Sequence, residues 1–327
     1  MASVGEVLKV ALTGEGLLPP ASKLHSACRA LIIQGWGYFM LGVLLFTAPG
    51  VFNKLAMFPA PFTEEEAPCY RMIGFTAIGI GYFYTMASRT NNLFWAAATI
   101  FIRLIWVPVA LVTMALVFDL PPQLCVLLAT DPALAIWTYL AMKKDLKDPT
   151  LTIGKVLAIP FNGGGMIPAR STLSPTARAL IMQGWTYFLT GSTIYFFPQV
   201  FNKMMMFPEP FSDAVTPLYR MIGLMVIAIG YFYIVVSKMD SMFWATATIF
   251  TRMTMTPFSC MTLYLVFGGA PQLCITFSIL DPTLAYWTYL TLKDNITDAK
   301  AQISESISSL EDESSPLMPD EEGMQYN

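Results

Sequence analysis

Two stretches decide the fold: Val126–Lys144, VLLATDPALAIWTYLAMKK, and Ile275–Lys293, ITFSILDPTLAYWTYLTLK. Each is an apolar run long enough to help cross a bilayer, interrupted near its middle by Asp-Pro. An aspartate at that depth is costly, and the proline after it removes a backbone donor. Neither suits an inert lipid-facing span. The two runs predict an all-α integral membrane protein that keeps its few charges turned inward.

Composition points the same way. The 327 residues are 55% hydrophobic and only 13% charged, with a mean hydropathy of +0.56. Soluble domains carry about 25% charged residues. The net charge of −3 is concentrated in the tail, where Glu311, Asp312, Glu313, Asp320, Glu321 and Glu322 fall within the last seventeen positions. Cys28, Cys69, Cys125, Cys260 and Cys274 show no CxxC pair, and His25 is the only histidine. A metal site is therefore not expected, nor any other cofactor. No basic patch suggests a nucleic-acid partner, and the first 28 residues lack the apolar core of a cleavable signal peptide.

Working outward from the Asp-Pro stretches, most of the chain reads twice. Adding 149 carries Arg29-Ala30-Leu31-Ile32 onto Arg178 to Ile181, and Gln34-Gly35-Trp36 onto Gln183 to Trp185. The same offset maps Phe52-Asn53-Lys54, Tyr70 to Gly74 and Pro122 to Cys125 onto matching residues. One inserted residue then pairs Asp131-Pro132 with Asp281-Pro282. Self-similarity of this length implies a tandem duplication. Each unit holds four apolar segments, near 29–48, 70–87, 93–118 and 121–142, and again near 178–198, 219–236, 242–267 and 271–292. The expected fold is eight transmembrane helices arranged as two tandem four-helix bundles. An even helix number makes this a parallel internal repeat.

The expected divisions are an amphipathic entry segment over 1–28, the first repeat over 29–144, a cytosolic connector carrying the second entry segment over 145–177, the second repeat over 178–294 and a disordered acidic tail over 295–327. Thirteen Lys and Arg residues fall on the side of the termini and four on the other, which predicts that both termini are cytosolic.

Arg103 and Asp131 arrive near one depth on adjacent antiparallel segments, as do Arg252 and Asp281. A lone charge at a helix centre costs about 2.5–3.5 kcal/mol, so pairing within each unit is the economical arrangement. Thr99 and Thr248 lie one turn before the arginines as candidate partners, and Gln34 and Gln183 as interhelical hydrogen-bonding residues. Asp-Pro is also a favoured helix start, so Pro132 and Pro282 are expected to break the fourth helix of each unit. Two meanings are open for these residues: a buried structural clamp, or a ligand site at interrupted helices.

Arg71 and Arg220 are expected to snorkel towards headgroups, and Tyr82-Phe83-Tyr84 with Tyr231-Phe232-Tyr233 to form aromatic belts. The loops VFNKLAMFPAPF and VFNKMMMFPEPF suit segments lying at the lipid surface. In the tail, Glu313 followed by Leu317-Met318 resembles an acidic dileucine sorting signal. It implies clathrin-adaptor contact and an endosomal, lysosomal or plasma-membrane address. No nucleophile–base set is visible. The expectation is a non-enzymatic protein that binds or moves a small solute or lipid, or else a structural or trafficking protein without transport activity.

Overall fold

The computed structural model describes residues 3–14 and 17–313, with side chains left out at 122, 125–129, 170 and 294–313. Among the described residues the regular structure is entirely helical. Three helices are long and apolar enough to cross a membrane: Ser26–Thr47, Leu93–Val117 and Thr216–Ser237.

In chain order, α1 (Val4–Thr13) leads to α2 (Ser26–Thr47), the short α3 (Pro49–Leu55) and α4 (Glu66–Arg89). Next, α5 (Leu93–Phe101) passes through a π turn, Ile102–Trp106, into α6 (Val107–Val117), and α7 (Pro122–Leu146) follows. The same order returns as α8 (Ile153–Asn162), α9 (Pro175–Phe196), α10 (Pro198–Met204) and α11 (Thr216–Ser237). It closes with α12 (Met242–Phe250), the π turn Thr251–Met255, α13 (Thr256–Phe267) and α14 (Pro271–Glu313).

Local chemistry accounts for most boundaries. Ser3 and Glu6 form a reciprocal capping box on α1, and Gly14 ends it at φ 68°, a left-handed conformation that glycine adopts without strain. Asn92 caps α5 through the Phe94 amide at 2.9 Å, and Ser241 caps α12 through Trp244 at 3.3 Å. Asp145, near the end of α7, accepts from the Ser26 and Ala27 amides at 2.9 and 2.8 Å. The last helix of that unit thus caps its first.

Glycine lets α2 and α4 approach until their backbones touch. A Cβ on Gly81 would stand 2.5 Å from both the Gly35 carbonyl oxygen and the Phe39 amide nitrogen, and one on Gly42 would stand 2.5 Å from the Ile78 nitrogen. Gly191 and Gly230 make the same approach between α9 and α11. Such small-residue contacts are a main source of helix association where lipid offers no hydrophobic drive.

Contacts between the halves come in matched pairs. Tyr82 donates to the Ala247 carbonyl at 3.1 Å, and Tyr231 donates to the Ala98 carbonyl at 3.1 Å. The Arg71 guanidinium lies 3.7 Å from the Phe267 ring centre, and that of Arg220 lies 3.8 Å from Phe118. α1 packs on α12 while α8 packs on α5, so each short helix rests on the other half of the molecule.

Several expectations are corrected. Neither Pro132 nor Pro282 breaks its helix: α7 and α14 run through them, and neither Asp131 nor Asp281 caps a new helix. A proline removes only one backbone donor, and the helix persists on either side of it. Arg71 does not snorkel; it donates to the Phe46 and Thr47 carbonyls at 2.5 and 3.1 Å, closing the end of α2, and Arg220 does likewise with Tyr195 and Phe196. The Tyr-Phe-Tyr triplets are core rather than belt: Tyr84 is 2% exposed and Tyr233 1%. The apolar face of α1, with Val7 and Val10, is buried against protein rather than laid on lipid. Of the tail expected to be disordered over 295–327, residues 295–313 are helical as the continuation of α14, and 314–327 lie outside the described residues.

Gly81→Val should force α2 and α4 apart and destabilise the protein by about 1–3 kcal/mol. Gly50→Ala, where a side chain meets open space, should change little. Thermal-shift size-exclusion of the full-length protein reads both.

Candidate functional site

Each half gathers one arginine, one aspartate, one glutamine, two tyrosines and one threonine. In the first, α2 supplies Gln34 and Tyr38, four residues apart and therefore on one face. α4 contributes Tyr84, the π turn Arg103 and α7 both Asp131 and Thr138. The π turn precedes Pro108, which can give no backbone donor, and its wider turn aims Arg103 and Trp106 at the same cavity.

Arg103 is 1% exposed and Asp131 6%. Arg103 Nη1 donates to Gln34 Oε1, and the Tyr38 hydroxyl donates to Asp131 Oδ1. That same oxygen lies 4.0 Å from Arg103 Nε, a distance for charge pairing rather than a hydrogen bond. The guanidinium carbon sits 4.4 Å from the Tyr84 ring centre, within cation–π range. Gln34 is itself held by its Nε2, which donates to Thr138 Oγ1 at 3.3 Å and to the Leu134 carbonyl at 3.4 Å.

The second cluster repeats most of this. Arg252 Nη1 donates to Gln183 Oε1, Tyr187 donates to Asp281 Oδ1, and Gln183 Nε2 reaches Thr288 at 3.3 Å and the Leu284 carbonyl at 3.4 Å. Here the arginine's Nε also has a partner, the Tyr233 hydroxyl at 2.8 Å.

Both clusters face cavities. The first, of about 400 Å³, reaches from Arg103, Asp131 and Trp106 across to Met225 and Phe232 on α11. The second, about 90 Å³, runs from Arg252 and Asp281 to Thr76 and Phe83 on α4. Each therefore borrows a wall from the other half. Buried donors without partners among the described residues look into them: Arg103 Nε and Nη2 with Trp106 Nε1 in the first, and Arg252 Nη2 in the second.

Arg103, Asp131 and Gln34 are brought together, as are Arg252, Asp281 and Gln183. Thr99 and Thr248 are not part of either cluster; each hydroxyl donates to its own helix, to Ala96 and Ala245 at 2.8 Å. The sorting-signal residues Leu317 and Met318 lie outside the described residues, as does the side chain of Glu313. The tyrosines and Thr138 with Thr288 were not anticipated. Their trace is the recurrence of Gln-x-x-x-Tyr at 34–38 and 183–187, and of Asp and Thr seven residues apart at 131–138 and 281–288. Among the described residues no group of three or more His, Cys, Asp or Glu side chains is placed to hold a metal. Comparison with known protein families, with curated proteins and with solved structures finds no match.

Removing one member of a buried charge pair strands the other, at a cost of about 3–5 kcal/mol, whereas replacing both is far milder. Asp131→Leu should therefore destabilise the protein more than the double variant Arg103→Leu/Asp131→Leu. Urea or heat unfolding in detergent compares the two. A more stable single variant would show that Asp131 does not compensate Arg103.

Proposed function

We propose that this chain is a non-enzymatic, polytopic membrane protein that binds or moves a small solute or lipid inside the bilayer. It would comprise eight crossings arranged as two parallel four-helix repeats. The observation that carries the ligand reading is the set of buried guanidinium N–H groups that face cavities without a partner. A group of that kind is expensive to leave unmatched in a solid core and useful in a binding site.

Support for eight crossings comes from the equivalents of the three apolar spans. α9 recurs after α2, α4 stands before α11, and α12 with α13 matches α5 with α6; α7 and α14 complete the set. The matched contacts between the halves and the 149-residue offset support the repeat. The excess of Lys and Arg on the side of the termini supports a cytosolic address for both ends. Acceptor sequons engineered into the loops after Phe58 and after Phe207 should both be glycosylated in microsomes. The native Asn295-Ile296-Thr297 should stay unmodified. Modification of Asn295 would reverse the topology.

A structural or trafficking protein without transport activity is the second reading. The second cluster favours it, because its tighter packing leaves a single guanidinium nitrogen, Arg252 Nη2, unmatched among the described residues. Asp131→Asn separates the two. A folded variant with altered ligand binding or uptake supports the ligand site, while a variant that is degraded supports a clamp.

A further inference from the structure

We propose that the two cavities have diverged: the one at Arg103 takes a single uncharged, hydroxyl-bearing amphiphile, admitted sideways between α2 and α7, and the one at Arg252 is closed. This rests on the ligand reading above and adds which cavity binds, what chemistry it recognises and where the ligand enters.

Size separates the cavities first. Small-molecule sites occupy about 300–1,000 Å³. The first, at about 400 Å³, falls in that range, and the second, at about 90 Å³, holds little more than a few waters.

The mouth comes next. Ile33 and Gly37 on α2, with Thr130 and Trp137 on α7, line the first cavity and are exposed on the outer face of the bundle. That face is otherwise apolar, carrying Trp36, Met40, Ile136 and Leu140, so an opening in it faces hydrocarbon. Residues lining the second cavity are all buried or half-buried. At the position of Gly37 the second half has Thr186, whose hydroxyl is turned back onto the Met182 carbonyl at 3.3 Å.

Headgroup chemistry follows from the donors and the charge. Arg103 Nε and Nη2 and Trp106 Nε1 are three nitrogens whose N–H groups lack a full set of acceptors among the described residues, and Arg103 is 99% buried. In the second half Met255 replaces the indole, and Tyr233 already occupies Arg252 Nε. Asp131 balances the charge of Arg103, so a carboxylate or phosphate ligand would bring an uncompensated charge into an apolar chamber. A hydroxyl accepts from the guanidinium or indole, donates to the Asp131 carboxylate and leaves the chamber neutral. Leu41, Leu45, Met225 and Phe232 then supply an apolar wall for its chain.

The test uses the full-length protein in nanodiscs with two photoreactive probes, a diazirine-bearing sixteen-carbon alcohol and the matching carboxylic acid. Adducts are mapped by peptide mass spectrometry and competed with unlabelled alcohol. The alcohol should saturably label the lining of the Arg103 cavity, on α2, α7 and the facing wall of α11, at concentrations about tenfold below those the acid needs. Gly37→Leu should abolish this labelling, since a side chain there meets open space and fills the mouth without disturbing the fold. Thr186→Leu should leave it intact. Trp106→Phe, which keeps the ring and loses the N–H, should weaken it about tenfold. Equal or stronger labelling by the acid would overturn the neutral headgroup, and adducts on the lining of the Arg252 cavity, such as Tyr187 or Phe201, would overturn the assignment of the cavity. Unchanged labelling in folded Gly37→Leu would overturn the lateral mouth. Absence of saturable labelling by either probe would defeat the ligand reading itself, leaving the chamber to water.

Discussion

Two guanidinium groups, each 1% exposed, lie inside a bundle that is otherwise largely apolar, and the architecture follows from making that tolerable. No single partner achieves it. A glutamine oxygen takes one N–H, a tyrosine ring covers one face of the cation, and an aspartate, itself held by a second tyrosine, supplies the opposite charge. Those partners come from three helices, and the arginine itself from a fourth. The clusters therefore fix the mutual rotation and depth of α2, α4, the α5–α6 segment and α7, and of their counterparts α9, α11, α12–α13 and α14.

Packing around the clusters is of two kinds. Glycine faces bring α2 against α4 and α9 against α11 at backbone contact, leaving no space for a ligand within either pair. Aromatic and methionine side chains fill the seam between the halves, where Phe83 meets Tyr233 and Trp244, and Phe232 meets Tyr84 and Trp95, all edge to face. The cavities sit where these two modes meet. Each is bounded by a charged cluster from one half and an apolar helix from the other.

The buried charges were legible in the sequence because Arg and Asp are rare in apolar runs and recur here at matched positions. Gln34 and Gln183 stood out on the same grounds. The tyrosines did not, since an aromatic residue near a helix end reads equally as interfacial belt or as core, and only the three-dimensional course of α4 and α11 turns Tyr84 and Tyr233 onto the arginines. Asp-Pro was misleading for a related reason. Its preference for starting a helix is local, and it yields where a long helix is already held by packing on both sides. Thr99 and Thr248 had the right spacing, but a hydroxyl within a helix finds its own preceding carbonyl first.

The exchange of short helices between the halves bears on biosynthesis. α1 leaves the ribosome before its partner: the surface it covers belongs to α12, which emerges more than two hundred residues later. α8 finds α5 already made and can dock at once. During translation the first half must wait with the apolar face of α1 unpartnered, and lipid or a chaperone has to shelter it in the interval.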